Sequence, residues 1–239
     1  MNKIEEARRD LAAAHRLAVR FDLHEGIDNH FSVALSENKF LVNRWGVHWS
    51  RLRASDILLV DVEGNVLDGK GEVERSAFFI HRAVHQAKPS AVAVLHTHQP
   101  HATALTCVEG GLIERLHQNS LRFYKRVAYD PAYGGGAFDT AEGHRIATAM
   151  GDKDVLMMGN HGVMIAGKTV GLALHDLYFL ERAAKVQLLA QSSGQPLILV
   201  SEEMAELTAQ QIREIEPESA EFFSLMRAIL DQEEPDYRE

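Results

Sequence analysis

One cysteine is all this 239-residue chain contains. Cys107 therefore has no internal disulfide partner, which fits a reducing compartment and a cytoplasmic protein. With no base near it in the sequence, it reads as a buried small residue. No stretch approaches the length of a membrane span. The first ten residues lack the apolar core of a secretory signal. Positive charge is short as well, with 25 Lys plus Arg against 34 Asp plus Glu and a net charge of −9. That balance argues against nucleic acid or an anionic membrane and leaves a small molecule as the expected partner. Much of the acidity lies from Ser201 onward. Internal repeats, linkers and low-complexity segments are missing, so residues 1–239 read as one domain with 201–239 as an acidic helical tail.

What the chain does have is a 46% apolar fraction, enough for a sizeable core, and 13 histidines. Ala91–His98 reads Ala-Val-Ala-Val-Leu-His-Thr-His. A short apolar run between Lys88-Pro89-Ser90 and Pro100 predicts a buried strand. Strand side chains alternate, so His96 and His98 share a face and Thr97 takes the other. Two imidazoles on one face at a strand end are placed to share a metal ion.

Around that strand the pattern predicts an opening amphipathic helix over 3–21, with Ile4, Ala7, Leu11, Ala14, Leu17 and Ala18 at helical spacing. A hairpin follows, from Asn29–Leu35 and Phe40–Asn43, then a strand at Ile57–Val62 and a turn at Glu63-Gly64-Asn65. Glu74–Ala87 is helical, with Phe78, Ile80, His81, Val84 and His85 inward. His101–Val108 is a short helix and Arg126–Tyr129 a strand. Asp139 caps a helix reaching Met150. Asp154–Met158 and Val163–Ala166 are buried strands joined by Gly159-Asn160-His161-Gly162. The longest helix runs from Val170 to Gln191, and Glu202–Leu230 is a final acidic helical region. Together these elements predict a sheet sandwiched between helices.

His161 sits in a glycine-flanked turn that can place a side chain into a cleft. With His96 and His98 it makes a three-ligand set with an open position, as catalytic ions have; structural zinc sites usually close with four ligands and use cysteine. Glu74, at the start of its helix, is a candidate fourth ligand or proton-transfer base. The same position equally suits a carboxylate that complements the helix dipole.

In this order, the glutamate helix, Val-Leu-His-Thr-His, the Gly-Asn-His-Gly turn and the long Ala-rich helix resemble the class II aldolase/adducin family. The likeness runs from the opening helix to about Pro196, with Asn29–Val33 and Phe40–Asn43 matching its hairpin and Tyr178–Gly194 its closing helix. It implies a three-layer α/β/α fold around a mainly antiparallel sheet, usually a homotetramer with sites between subunits. It also implies one divalent ion per subunit on His96, His98 and His161, zinc first, with manganese, magnesium, cobalt or iron as alternatives. Glu74 matches the family's acid/base.

The departures bear on substrate. Sugar-phosphate members carry Gly-Asn where this chain has Asn29-His30, Ser/Thr-Gly where it has Trp45-Gly46, and paired serines where it has Glu72-Val73. A carboxylate at Glu72 would repel a phosphate dianion and Trp45 would fill its space. His30, Trp45, Gly46, Glu72 and Asn160 are therefore candidate substrate contacts. Trp45, Trp49, His30 and Phe31 suggest a larger, partly aromatic pocket, with core packing as the alternative for both tryptophans. The tyrosine that aldolase members lend across subunits falls near His117-Gln118, leaving Tyr124, Tyr129 or Tyr237 as substitutes. Arg122 and Arg126 are carboxylate binders or, more simply, interface ion pairs. His81, His85, His101 and His175 read as helix or core histidines. The expected activity is a metal-dependent carbon–carbon lyase, aldolase or decarboxylase, acting on a non-phosphorylated hydroxy, keto or aromatic carboxylic acid through a metal-stabilised enediolate. An epimerase or oxygenase on the same ligands, or a non-enzymatic adducin-head-like module, are the alternatives.

Overall fold

The computed structural model describes residues 3–239, apart from the side chains of 216–219. Its centre is one eight-stranded sheet. In chain order the strands are β1 (His30–Ser36), β2 (Lys39–Asn43), β3 (Ile57–Asp61), β4 (Val66–Asp68), β5 (Ala93–Thr97), β6 (Val127–Asp130), β7 (Val155–Met158) and β8 (Gly162–Gly167). They lie side by side as β4-β3-β2-β1-β5-β8-β7-β6. All neighbouring pairs run antiparallel except β6 with β7. The helices are α1 (Lys3–Arg20), α2 (Arg75–Ala87), α3 (Pro100–Thr106), α4 (Gln118–Leu121), α5 (Thr140–Met150), α6 (Val170–Ser192), α7 (Glu202–Glu214) and α8 (Glu216–Glu233). Among the described residues no helix is long and apolar enough to cross a membrane.

Strand alternation decides which helices cover which face. Phe31, Val33, Leu41, Ala93, Leu95, Val163 and Ile165 pack against α1, α3, α6 and α8 in the larger core. Their alternates Val94, Leu156, Met158, Met164 and Ala166 meet Ile80, Ala83 and Val84 of α2 and Ile146 and Met150 of α5. The result is the three-layer α/β/α arrangement. Leu95 is fully buried, and truncating such a leucine to alanine costs about 2–5 kcal/mol.

Several elements differ from the expectation. The residues after the Glu63–Asn65 turn pair as β4 on β3. This exposed three-residue edge strand carries no run long enough to signal itself. The acidic region divides at Ile215 into α7 and α8. Phe223 and Leu230 of α8, with Tyr237 beyond it, are part of the larger core. Arg16 reaches both Glu234 and Asp236, and Arg20 reaches Glu233 and Glu234, so the acidic residues there are partly neutralised by α1. Cys107 is exposed, because α3 ends at Thr106 and leaves the cysteine at its C-terminal cap.

Candidate metal centre

β5 is central in the sheet, between β1 and β8, and its last residues bring His96 and His98 to one end of it. His161 arrives there from the β7–β8 turn. That turn is tight: Asn160 takes a left-handed φ of 55°, a region Asn tolerates better than most residues. A Cβ on Gly162 would lie 2.5 Å from the Thr97 carbonyl oxygen and 2.7 Å from His98 Cδ2. Only a glycine lets the turn close against the His-Thr-His strand end.

The three imidazoles meet. Their ring centroids are 4.9 to 5.0 Å apart, and one nitrogen from each lies within 4.8 Å of the others. His96 is buried, while His98 and His161 are part-exposed, so the group is open on one side. Two contacts fix the proton positions. His96 Nδ1 donates to the Val163 carbonyl at 2.9 Å, and His98 Nδ1 donates to Glu25 Oε2 at 2.8 Å. In a neutral ring the other nitrogen is then bare. Both Nε2 atoms are therefore lone-pair acceptors, and they face each other at 3.1 Å. Two acceptors that close repel unless a cation sits between them. Donor chemistry and separation thus fit a divalent ion. The partners on the far nitrogens are of the kind that orient metal-binding histidines.

Burial first, then His30, His161 and His98 nearby, holds His96 well below the usual histidine range. Burial, followed by His98, pushes His161 down to about 4. Both rings are neutral near pH 7, the protonation state a ligand needs.

Glu74 is the N-cap of α2, and its Oε2 accepts from the Ala77 amide at 2.8 Å and from the Ser76 hydroxyl. Burial works to raise its carboxyl, but those bonds, the Ser76 amide and nearby His30 outweigh it and keep the group below its usual range. The capping and chemical readings coexist. Oε2 takes both the Ser76 hydroxyl and the Ala77 amide, and neither bond uses Oε1.

The substrate candidates separate. His30 is directly opposite His96 across β1 and β5, with ring centroids 4.9 Å apart. Trp45 is 50% exposed and its amide bonds the Glu72 carbonyl at 2.9 Å, which brings Trp45, Gly46 and Glu72 together close in sequence to Glu74. Asn160 is exposed beside His161. Trp49 and Phe31 do not join them. Both are fully buried on the other face, with rings 4.7 Å apart, so they are core and the aromatic pocket is smaller than expected. Tyr237 is fully buried and donates to Asp231, which removes it as a proton donor. Arg126 pairs with Asp154 and Asp176, and Arg122 stacks on Phe179. Both arginines lie beyond the ends of β7 and β8 away from His161. His101 bonds Glu181 at 2.6 Å, and His175 packs on Phe179.

Two contributors escaped the sequence. Glu25 gave no signal, being a lone loop carboxylate. Tyr133, its ring 6.3 Å from that of His161 and itself 60% exposed, lies beside the ligands and was not among the tyrosines that the sequence suggested.

This fold and triad define a class. Residues 9–188 match the model for the class II aldolase and adducin N-terminal domain, and the chain belongs to that family. A Caulobacter vibrioides protein whose name places it in aldolase class 2 is 35% identical over 204 residues, 84% of this chain and 79% of its own. The crystal structure of an aldolase II superfamily protein from Pseudomonas syringae superposes with a TM-score of 0.92 at 32% identity, covering 100% of this chain and 97% of that one. An L-fuculose 1-phosphate aldolase from Glaciozyma antarctica gives 0.86 at 26% identity, covering 100% and 96%.

Proposed function

We propose that this protein is a divalent-metal-dependent carbon–carbon lyase acting on a non-phosphorylated hydroxy or keto acid, or on an aromatic carboxylic acid. The observation that carries the reading is the pair of bare Nε2 atoms on His96 and His98 facing each other at 3.1 Å beside His161. The aldolase-type relatives support the reaction class. His96, His98 and His161 would hold the ion, zinc by preference for an all-nitrogen set with an open position. A bound divalent ion supplies Lewis acidity, drawing negative charge onto a substrate oxygen as the carbon–carbon bond breaks.

The chain's own residues do the rest. Glu74 moves the proton to or from the carbon that is left electron-rich, through the carboxylate oxygen its helix cap does not use. Glu72 disfavours a phosphate dianion by like-charge repulsion, and Trp45 narrows the space beside Gly46. Aldol cleavage and loss of carbon dioxide make the same demand on these groups, and both belong to the proposal. Asn160 and His30 complete the substrate contacts. By family likeness we take the working form to be a cytoplasmic homotetramer of single-domain subunits.

Metal analysis of the purified protein and of His96→Ala and His161→Ala tests the site. One ion per chain, lost in both variants, is expected; full metal content in both refutes it. Glu74→Gln keeps an oxygen for the cap but cannot carry the proton. Its turnover should fall by about 10²–10⁴ with the fold intact.

A further inference from the structure

Behind the triad, α2 and β1 hold a line of polar groups of which the reaction above uses only His30. The spacing explains why they meet. Residues four apart on a helix rise about 6 Å, and residues two apart on a strand about 6.6 Å. His81 and His85 of α2 therefore come opposite His30 and Ser32 of β1, on the sheet face that also carries His96.

The hydrogen bonds run in one direction, fixed at the far end. His85 Nδ1 lies 2.9 Å from the Ala91 carbonyl, which can only accept, so that nitrogen carries the proton. His85 Nε2 is then an acceptor and takes the Ser32 hydroxyl hydrogen at 2.7 Å. Ser32 Oγ in turn accepts from His81 Nδ1 at 2.5 Å. That leaves His81 Nε2 to accept from His30 Nδ1 at 2.7 Å. His30, Ser32 and His81 are each at most 2% exposed. Burial holds His81 well below the usual histidine range and pushes His85 down to about 4, so both of those rings are neutral near pH 7. Neutral rings have one donor and one acceptor each, and the assignment is unique. The atom left over is His30 Nε2, a bare acceptor on the ring that packs against His96.

We propose that the Ala91–His85–Ser32–His81 chain locks His30 as its Nδ1–H tautomer, so that Nε2 accepts the hydrogen of a substrate hydroxyl lying beside the metal site. This names the substrate class as one with a free hydroxyl next to its metal-binding carboxylate or carbonyl, and it rests on the metal-site reading above. Ser32, His81 and His85 are positioning residues, since they act only through His30. A methylated oxygen would not serve: the methyl ether has no hydrogen to give.

The chain is tested on the full-length protein by two-bond proton–nitrogen spectra with ¹⁵N-labelled histidine. Wild type should show His30 protonated at Nδ1 and bare at Nε2; the opposite tautomer overturns the proposal. The second arm loads the protein with cobalt(II) and compares glycolate with methoxyacetate, which keeps the ether oxygen but lacks the donor. Wild type should prefer glycolate about tenfold, the worth of one such bond. Ser32→Ala should retain cobalt while that preference falls to about twofold, and Ser32→Thr, which keeps the hydroxyl, should restore it. Cobalt uptake with a preference that is absent in wild type or unchanged in Ser32→Ala overturns this inference and leaves the metal site standing. Failure to take up cobalt overturns both.

Discussion

Replacing Glu25 by alanine isolates the part of the proposed metal site that would touch no metal. Its Oε2 accepts from His98 Nδ1 at 2.8 Å, and its side chain is 55% exposed. The carboxylate holds the ring in the tautomer and orientation that direct Nε2 at His96, and it makes that nitrogen a better donor. Loss of such a partner weakens metal binding 10–100-fold as a rule. Because water reaches Glu25 and can replace its oxygen, the lower end applies. We expect zinc affinity to fall about tenfold, or about 1.4 kcal/mol. An exposed pair contributes at most about 1 kcal/mol to folding, so the chelator-stripped protein should melt within about 2–4 °C of wild type. Glu25→Gln, which keeps an acceptor but no charge, should fall between. Competition against a chromophoric zinc chelator at pH 7.5 gives the affinity, and circular dichroism gives the melt. An unchanged affinity, or a loss matched by equal destabilisation of the stripped protein, would refute the reasoning.

Gly162→Ala places a methyl within 2.7 Å of His98 Cδ2 and 2.5 Å of the Thr97 carbonyl oxygen. It should cost about 1–3 kcal/mol in a urea titration and weaken zinc binding with it; destabilisation with full affinity would mean the ring does not move. His15, fully buried against Phe31 and Trp49, is pushed by burial from 6.5 down to about 4. Between those values the unfolded chain binds more protons than the folded one, so stability is lost as pH falls from 6.5 toward 4. At 1.36 kcal/mol per pH unit the loss from this residue reaches about 3 kcal/mol. Urea midpoints at pH 7 and pH 5 should differ less in His15→Leu than in wild type. Glu72→Ser removes a like charge from the substrate side, and inorganic phosphate should bind about fivefold tighter by calorimetry. No change would take Glu72 out of the site.

Much of this molecule was legible from two periods. The alternation through Ala91–His98 announced a central strand with two histidines on one face, and the glycines around His161 announced a turn that could reach them. The start of α2 at Glu74 was readable from the apolar spacing behind it. What stayed hidden depended on how distant pieces dock. Glu25 sits in a loop 73 residues from its partner His98, and a single acidic residue in a loop has no period to read. His81 with His85, and His30 with Ser32, are plain four-apart and two-apart pairs, but only helix-on-sheet packing shows that they interlock. Trp45 and Trp49 lie where the chain follows neither period. Nothing local could say that one is half exposed and the other sealed in the core.

The position of β5, with β1 on one side and β8 on the other, has a consequence for how the ligands behave when the ion departs. Small zinc domains fold around their ion and collapse without it. Here the histidine strand is stitched to neighbours along both edges and covered on both faces, and the turn bearing His161 is an extension of one of those neighbours. If His96, His98 and His161 hold an ion as proposed, a cage built this way by the polypeptide should outlast its guest. Swapping one divalent ion for another should proceed on an unchanged scaffold, at a pace set by the hydration of the metal and not by refolding.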